Sequence, residues 1–180
     1  GGGGSEMLAL ATKPPHRPVA GEYGTRRATC EAAAALLGVP ALRDVTDLDA
    51  ALSQLPDETM RKRVRHVVTE DERVLTALEI GRSGDLAALA PLLDASHTSM
   101  RDDYEITVPT VDLAVETARA AGALGARMTG GGFGGCIIAL TRAGEADRIG
   151  RAIADAFSHA GFGAPDWFTA RPAPGAGHLA

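Results

Sequence analysis

Five glycines fall within the six positions 130–135, in the run Arg127-Met128-Thr129-Gly130-Gly131-Gly132-Phe133-Gly134-Gly135-Cys136. Glycine has no Cβ, so such a segment can take positive φ and bring its backbone N–H groups close to another chain segment, a sugar or a phosphate. A strand interior does not keep that many glycines for packing, because each loses backbone entropy and adds no side chain to a core. The run therefore reads as a bend between two strands, Gly125 to Thr129 and Cys136 to Thr141.

Periodicity supplies the other elements. Met7 to Thr12 is short and apolar and reads as a strand. Lys13-Pro14-Pro15-His16-Arg17-Pro18 reads as an extended loop, since proline excludes helix there. Glu22 to Leu37 predicts a helix with Cys30, Ala33, Ala34 and Leu37 on one face and Gly38 as its stop. A short helix covers Leu48 to Leu55. The clearest helix runs from Asp57, its N-cap, to about Ile80. Met60, Val64, Val67, Val74, Leu75 and Leu78 recur along it at helical spacing, and Gly81 is its stop. A further helix starts at Ser83 or Asp85 and passes through Leu86, Leu89, Leu92 and Leu93 toward Met100. Pro109 and Thr110 open another, through Val111, Ala114, Val115 and Ala118, that stops near Gly122. Glu145 to Ala160 is amphipathic, and Trp167 to Ala170 reads as a closing strand. The order strand, helices, hairpin, helix, strand predicts an α+β domain whose small, mostly antiparallel sheet is covered by helices on one side.

At 180 residues the chain is long enough for one domain with a proper core. Gly1-Gly2-Gly3-Gly4-Ser5 looks like a flexible linker, so residues 1–6 are set apart and 7–180 are read as one domain. Arg171 to His178, rich in Pro and Gly, reads as a loose tail or edge segment. Hydrophobic content of 45% with 23% charged residues is that of a soluble globular protein. A net charge of -5 argues against general binding to nucleic acid or to an anionic membrane. The basic run Arg61-Lys62-Arg63-Val64-Arg65-His66 is read as a solvated helix face, because Glu58, Glu70, Asp71 and Glu72 surround it. Cys30 and Cys136 are expected to be free, buried thiols of a cytoplasmic protein. No Cys/His spacing fits a zinc site, and nothing resembles a signal peptide or a spanning segment.

Several phosphate-binding patterns compete for the bend. Gly130-x-Gly132-x-x-Gly135 satisfies the dinucleotide spacing, but such a loop must open a helix, and a β-branched segment follows instead. A protein-kinase glycine loop does lie between strands, yet the strand lysine, the His-Arg-Asp loop and the Asp-Phe-Gly element are absent downstream. A Walker loop needs Gly-Lys-Ser/Thr, which does not occur. On the bare pattern, a tight hairpin turn remains open beside these readings.

Context narrows the choice. Met128 to Cys136 resembles the third motif of the GHMP small-molecule kinases, most closely that of the galactokinases. Gly21-Glu22-Tyr23-Gly24-Thr25-Arg26-Arg27-Ala28-Thr29-Cys30 resembles the galactokinase stretch that begins a helix beside the sugar. Arg65 to Glu70 resembles its long-helix segment, and Ser96 to Ile106 its pre-motif segment. The matches occur in family order over roughly residues 7–170. The resemblance implies the C-terminal domain of such a kinase, with a ferredoxin-like core, and it covers the C-terminal half only. The family's first motif, its Ser-rich phosphate loop and its catalytic aspartate have no counterpart here.

The resemblance implies that Tyr23 hydrogen-bonds the sugar, while the plain reading is a helix-start tyrosine packed on the core. It implies that Gly130, Gly131, Gly132, Gly134 and Gly135 shape the site between sugar and nucleotide phosphates. Phe133 is expected to anchor this loop, and Thr129 either to bond across the site or to cap the hairpin. Asp102 and Asp103 are adjacent and point apart on an extended segment, so they are expected to be structural. His66 and His97 are likewise expected to be structural. No catalytic base and no metal ligand is assigned. In the complete enzyme the resemblance implies ATP, Mg2+ and galactose, with the N-terminal half of the kinase as partner. This chain alone is expected to bind neither ATP nor Mg2+ tightly and to be inactive. Two alternatives stand beside this reading: a non-catalytic binding module on the same surface, and a kinase half for another sugar.

Overall fold

A computed structural model describes residues 4–13 and 20–170. The readings made for residues 1–3, 14–19 and 171–180 lie outside the described residues. Four strands form one sheet in the order β2-β3-β1-β4. They are β1 (Ser5–Ala11), β2 (Gly125–Thr129), β3 (Cys136–Arg142) and β4 (Asp166–Ala170), and every pairing is antiparallel. Ser5 and Glu6 belong to this sheet: Ser5 pairs with Arg142, and the Glu6 carboxylate accepts the Ala146 N–H at 3.0 Å. The linker-like segment therefore gives way to fold two residues before Met7. The strand begins earlier than its apolar run because the long β3 offers partners down to Arg142.

Helices α1 (Ala20–Leu37), α2 (Leu48–Gln54), α3 (Glu58–Ser83) and α4 (Ala90–Ser99) come between β1 and β2. Helix α5 (Pro109–Ala120) precedes the hairpin, and α6 (Ala146–Ala160) follows it. Alternation places Leu8, Leu10, Ala126, Met128, Ile137 and Ala139 on one face of the sheet. Val111, Ala114, Val115 and Ala118 of α5, with Ile149, Ile153 and Phe157 of α6, cover that face. Burying one such large side chain stabilises the fold by about 2–3 kcal/mol. Gly150 belongs to this packing, since a Cβ there would lie 2.5 Å from the Trp167 indole nitrogen. That nitrogen donates to Asp147 at 3.1 Å and seats β4 on α6.

A second core of Ala33, Ala34, Leu42, Leu55, Val64 and Val68 joins α1, α2 and α3. As expected, Asp57 caps α3, accepting the Met60 N–H at 2.8 Å. The helix, however, passes through Gly81 and ends on Gly84 at φ 81°, the left-handed glycine stop. Its apolar stripe does not stay buried: Val74, Leu75 and Leu78 are 59%, 58% and 52% exposed. Helix α3 outruns the core that its first half packs against.

The basic run is also corrected. Arg63 and His66 are buried, not solvated, because α3 lies against the segment that follows α4. That segment, Met100–Tyr104, widens into a π turn closed by the Glu105 N–H on the Met100 carbonyl, which also accepts from the Ile106 N–H at 3.1 Å. Helix α4 itself guards the free edge of β2. Asp94 accepts the Ala126 N–H at 2.9 Å, and His97 Nδ1 accepts the Met128 N–H at 3.1 Å.

Candidate functional site

The ladder between β2 and β3 ends at Thr129 opposite Cys136, leaving residues 130–135 to make the bend. Thr129 thus closes the hairpin. Gly130, Gly131 and Gly135 are exposed, Gly132 and Phe133 are half-buried, and Gly134 is buried. Both ends of the bend are tied down. The Thr12 N–H and Oγ1 both donate to the Gly135 carbonyl, at 2.9 and 2.6 Å. The Phe133 N–H donates to the Ile106 carbonyl at 2.6 Å. Phe133 holds φ at 60°, a strained value for a phenylalanine that this bond and its ring contacts maintain.

Two positions in the bend leave no room for a side chain. A Cβ on Gly131 would lie 2.6 Å from the Tyr23 hydroxyl and 2.9 Å from its ring. A Cβ on Gly132 would lie 2.8 Å from Ile106 Cβ and 2.9 Å from the Ile106 carbonyl oxygen, at φ +91°. Tyr23, on the first turn of α1, therefore lies directly against the bend. Its ring meets Phe133 edge-on, with centroids 5.6 Å apart and planes at 85°. The hydroxyl reaches the Gly132 carbonyl only at 3.4 Å, and the residue is 48% exposed. A phenol held so loosely keeps its hydrogen-bonding capacity for a ligand.

The structure brings together Tyr23, Phe133 and the glycines, and it leaves the carboxylates and histidines elsewhere. Asp102 pairs with Arg101 at 2.7 Å, while Asp103 pairs with Arg65 of α3 at 2.8 Å. Each carboxylate is thus taken up by a different arginine. His97 accepts from the Met128 N–H through Nδ1, which puts its own proton on Nε2, 3.0 Å from Asp112. It is a strut between α4, β2 and α5. His66 bonds the Ser99 hydroxyl at 2.8 Å and stacks on Tyr104 with centroids 4.5 Å apart. Cys30 and Cys136 are free, as expected, but half-buried, because each lies at the rim of a packed element. Burial pushes the Cys30 thiol up and the neighbouring Tyr104 phenol up to about 12. Among the described residues no three His, Cys, Asp or Glu side chains converge to hold a metal ion.

The buried His66 has a consequence for stability. Desolvation lowers its pKa from 6.5 to about 4, against the pull of Glu70 and Asp103. The unfolded chain therefore takes up a proton near pH 6.5, and the folded chain resists until about pH 4. Stability from this residue is complete above that window and falls as the pH drops through it, by about 3 kcal/mol in all. Urea unfolding from pH 7 to 4 is expected to show this loss, and His66→Gln is expected to flatten it. Parallel curves for the two proteins would refute the assignment.

Sequence reasoning missed Thr12, Arg26 and Ile106. The Arg26 side chain is mostly buried, and its guanidinium stands 5.5 Å over the Phe133 ring. Its Nε and Nη2 donate to the Tyr104 and Glu105 carbonyls, each at 2.8 Å. The signal for Arg26 was its place three residues after Tyr23, on the same helix face. The partnership of Thr12 and Ile106 with the bend has no local signal, since both reach it across the fold.

Residues 74–159 match the family described as GHMP kinases C terminal. The galactokinase of Streptomyces coelicolor is 53% identical over 179 residues, covering 98% of this chain and 46% of that protein. A crystal structure of Lactococcus lactis galactokinase complexed with galactose superposes with a TM-score of 0.86 at 32% identity, over 92% of this chain and 44% of that one. L. major mevalonate kinase in complex with R-mevalonate shares the fold, with a TM-score of 0.59 at 20% identity over 96% of this chain and 44% of its own. The chain thus spans a little under half the length of the relatives it matches. Among the described residues, no helix is long and apolar enough to cross a membrane. With the glycine bend, the antiparallel sheet and these likenesses in agreement, residues 74–159 carry a GHMP kinase C-terminal domain, and the chain is similar over nearly its whole length to the C-terminal part of galactokinases.

Proposed function

We propose that this chain supplies the sugar-facing C-terminal half of a galactokinase, which transfers the ATP γ-phosphoryl group to the anomeric hydroxyl of galactose. The observation that carries the reading is the exposed bend with the Tyr23 phenol lying against it. The identity to the Streptomyces coelicolor enzyme supports the same choice of sugar. Phosphoryl transfer depends on positioning and electrostatics around the transferring group. In that scheme Tyr23 orients a sugar hydroxyl. The bend lets ligand atoms approach bare peptide N–H groups, which a Cβ would prevent.

The nucleotide-side chemistry comes from elsewhere. The sequence holds no Ser-rich phosphate loop and no aspartate in the family's catalytic pattern. Among the described residues no three His, Cys, Asp or Glu side chains converge, and none of the steps assigned to this chain runs through magnesium. ATP and magnesium therefore belong with the complementary half, and these 180 residues alone are expected to give no turnover. A cytoplasmic setting fits an ATP-consuming sugar kinase with two unpaired thiols.

The test is complementation. The purified chain, free of host kinase, is mixed with the N-terminal half of the Streptomyces coelicolor galactokinase. Galactose 1-phosphate is expected from the mixture and from neither half alone. Turnover by this chain alone, or a monodisperse chain indifferent to that half, would contradict the proposal. In the mixture, Tyr23→Phe is expected to raise the galactose KM about tenfold, the effect of losing one hydrogen bond of about 1.4 kcal/mol. The melting temperature should not move, because the ring contacts to Phe133 remain. An unchanged galactose KM would remove Tyr23 from the sugar site.

A further inference from the structure

The geometry points to Arg26 as a positioning residue that sets the height of the glycine bend against Tyr23, an inference that rests on the proposed sugar site. Four successive carbonyls lead to the bend, those of Asp103, Tyr104, Glu105 and Ile106. Arg63 holds the first. Arg26 holds the second and third, each at 2.8 Å, with Nε and Nη2 of one planar fork. The Phe133 N–H holds the fourth at 2.6 Å. The same Arg26 guanidinium lies over the Phe133 ring, at 5.5 Å from its centroid, and its Nη1 bonds Glu22 at 3.1 Å. Arg26 therefore grips Phe133 twice, through its ring and through the carbonyl rail that receives its N–H.

This arrangement matters for the site because of what adjoins it. Tyr23 precedes Arg26 by one turn of α1 and meets the same Phe133 ring edge-on. Gly131 and Gly132, just before Phe133, already stand as close to Tyr23 and Ile106 as bare backbone allows. A change in the rail's height moves Ile106, then Phe133 and Gly132, and so alters the space between the bend and the phenol. The rail includes Glu105 in the left-handed region at φ 56°, a conformation that needs outside support. A lysine cannot replace the fork, since an ammonium is a single point of charge and cannot span two successive carbonyls in one plane.

The test uses the kinase reconstituted from both halves, after the unaltered chain has been shown to turn over. Arg26→Lys is expected to raise the galactose KM at least fivefold while the melting temperature changes by no more than about 2 °C. A merely structural Arg26 would reduce the amount of active enzyme, lowering apparent kcat with the galactose KM unchanged. That outcome overturns the inference. Phe133→Leu, which removes the ring that Arg26 covers, is expected to raise the same KM, and the double variant should be no worse than the larger single one. Effects that multiply would show two independent contacts and also overturn it. Should reconstitution fail, the sugar-site reading falls, and Arg26 is still tested on this chain alone. Arg26→Lys must then shift the backbone amide resonances of Gly131, Gly132 and Phe133, and unmoved resonances refute the positioning role.

Discussion

Replacing Gly132 with alanine is expected to lower kcat/KM of the reconstituted kinase at least a hundredfold. The new Cβ would sit 2.8 Å from Ile106 Cβ and 2.9 Å from the Ile106 carbonyl oxygen, and neither can swing away as a flexible side chain would. The residue must also hold φ at +91°, which an L side chain resists. Strain and overlap together are expected to destabilise the chain by about 2–4 kcal/mol. The simplest relief is to push the bend away from Ile106, which breaks the Phe133 N–H bond to that carbonyl. Tyr23 then loses the surface it lies against. Steady-state kinetics with galactose as the varied substrate, beside a denaturant titration, would measure both effects. Activity within threefold of the parent would mean that close backbone approach is not what this bend provides.

A second large effect is expected far from the bend. Gly125 opens β2 where α4 begins, and a Cβ there would lie 2.3 Å from the Ala90 carbonyl oxygen and 2.7 Å from Ala90 Cα. Both are backbone atoms of a helix, so Gly125→Ala must move α4 or β2 as a body. Such movement pulls Asp94 and His97 away from the Ala126 and Met128 N–H groups, which then lose their acceptors on the sheet edge. The expected loss is about 3–4 kcal/mol, or roughly 10 °C in melting temperature for a chain of this size. Faster hydrogen exchange at the Ala126 and Met128 amides should accompany it. A melting point within 1 °C of the parent would show that α4 does not pack on β2 as described.

The elements that depend on local chemistry were legible before any coordinates. The bend between β2 and β3, the Asp57 cap and the inward faces of α5 and α6 follow from residue type and spacing alone. The α+β order and the antiparallel sheet followed from them. What could not be read was set by partners distant in sequence. Nothing in the basic run indicates that Arg63 and His66 face inward, because the carbonyl and hydroxyl that receive them lie on Asp103 and Ser99. Likewise, Val74, Leu75 and Leu78 carry the spacing of a buried stripe, but no element of the described chain covers them. In the candidate site, Tyr23 and the glycines were named from the motif, whereas Arg26 emerged only once Tyr104, Glu105 and Phe133 were seen around it.

The central claim is that galactose lies between the Tyr23 phenol and the bend at residues 130–135. Its most direct measurement is an isotope-filtered NOE experiment on carbon-13-labelled galactose bound to the reconstituted kinase. The account predicts cross-peaks from sugar ring protons to the Tyr23 ring and to the Gly131 α-protons. An active complex whose bound galactose shows contacts to neither would contradict it.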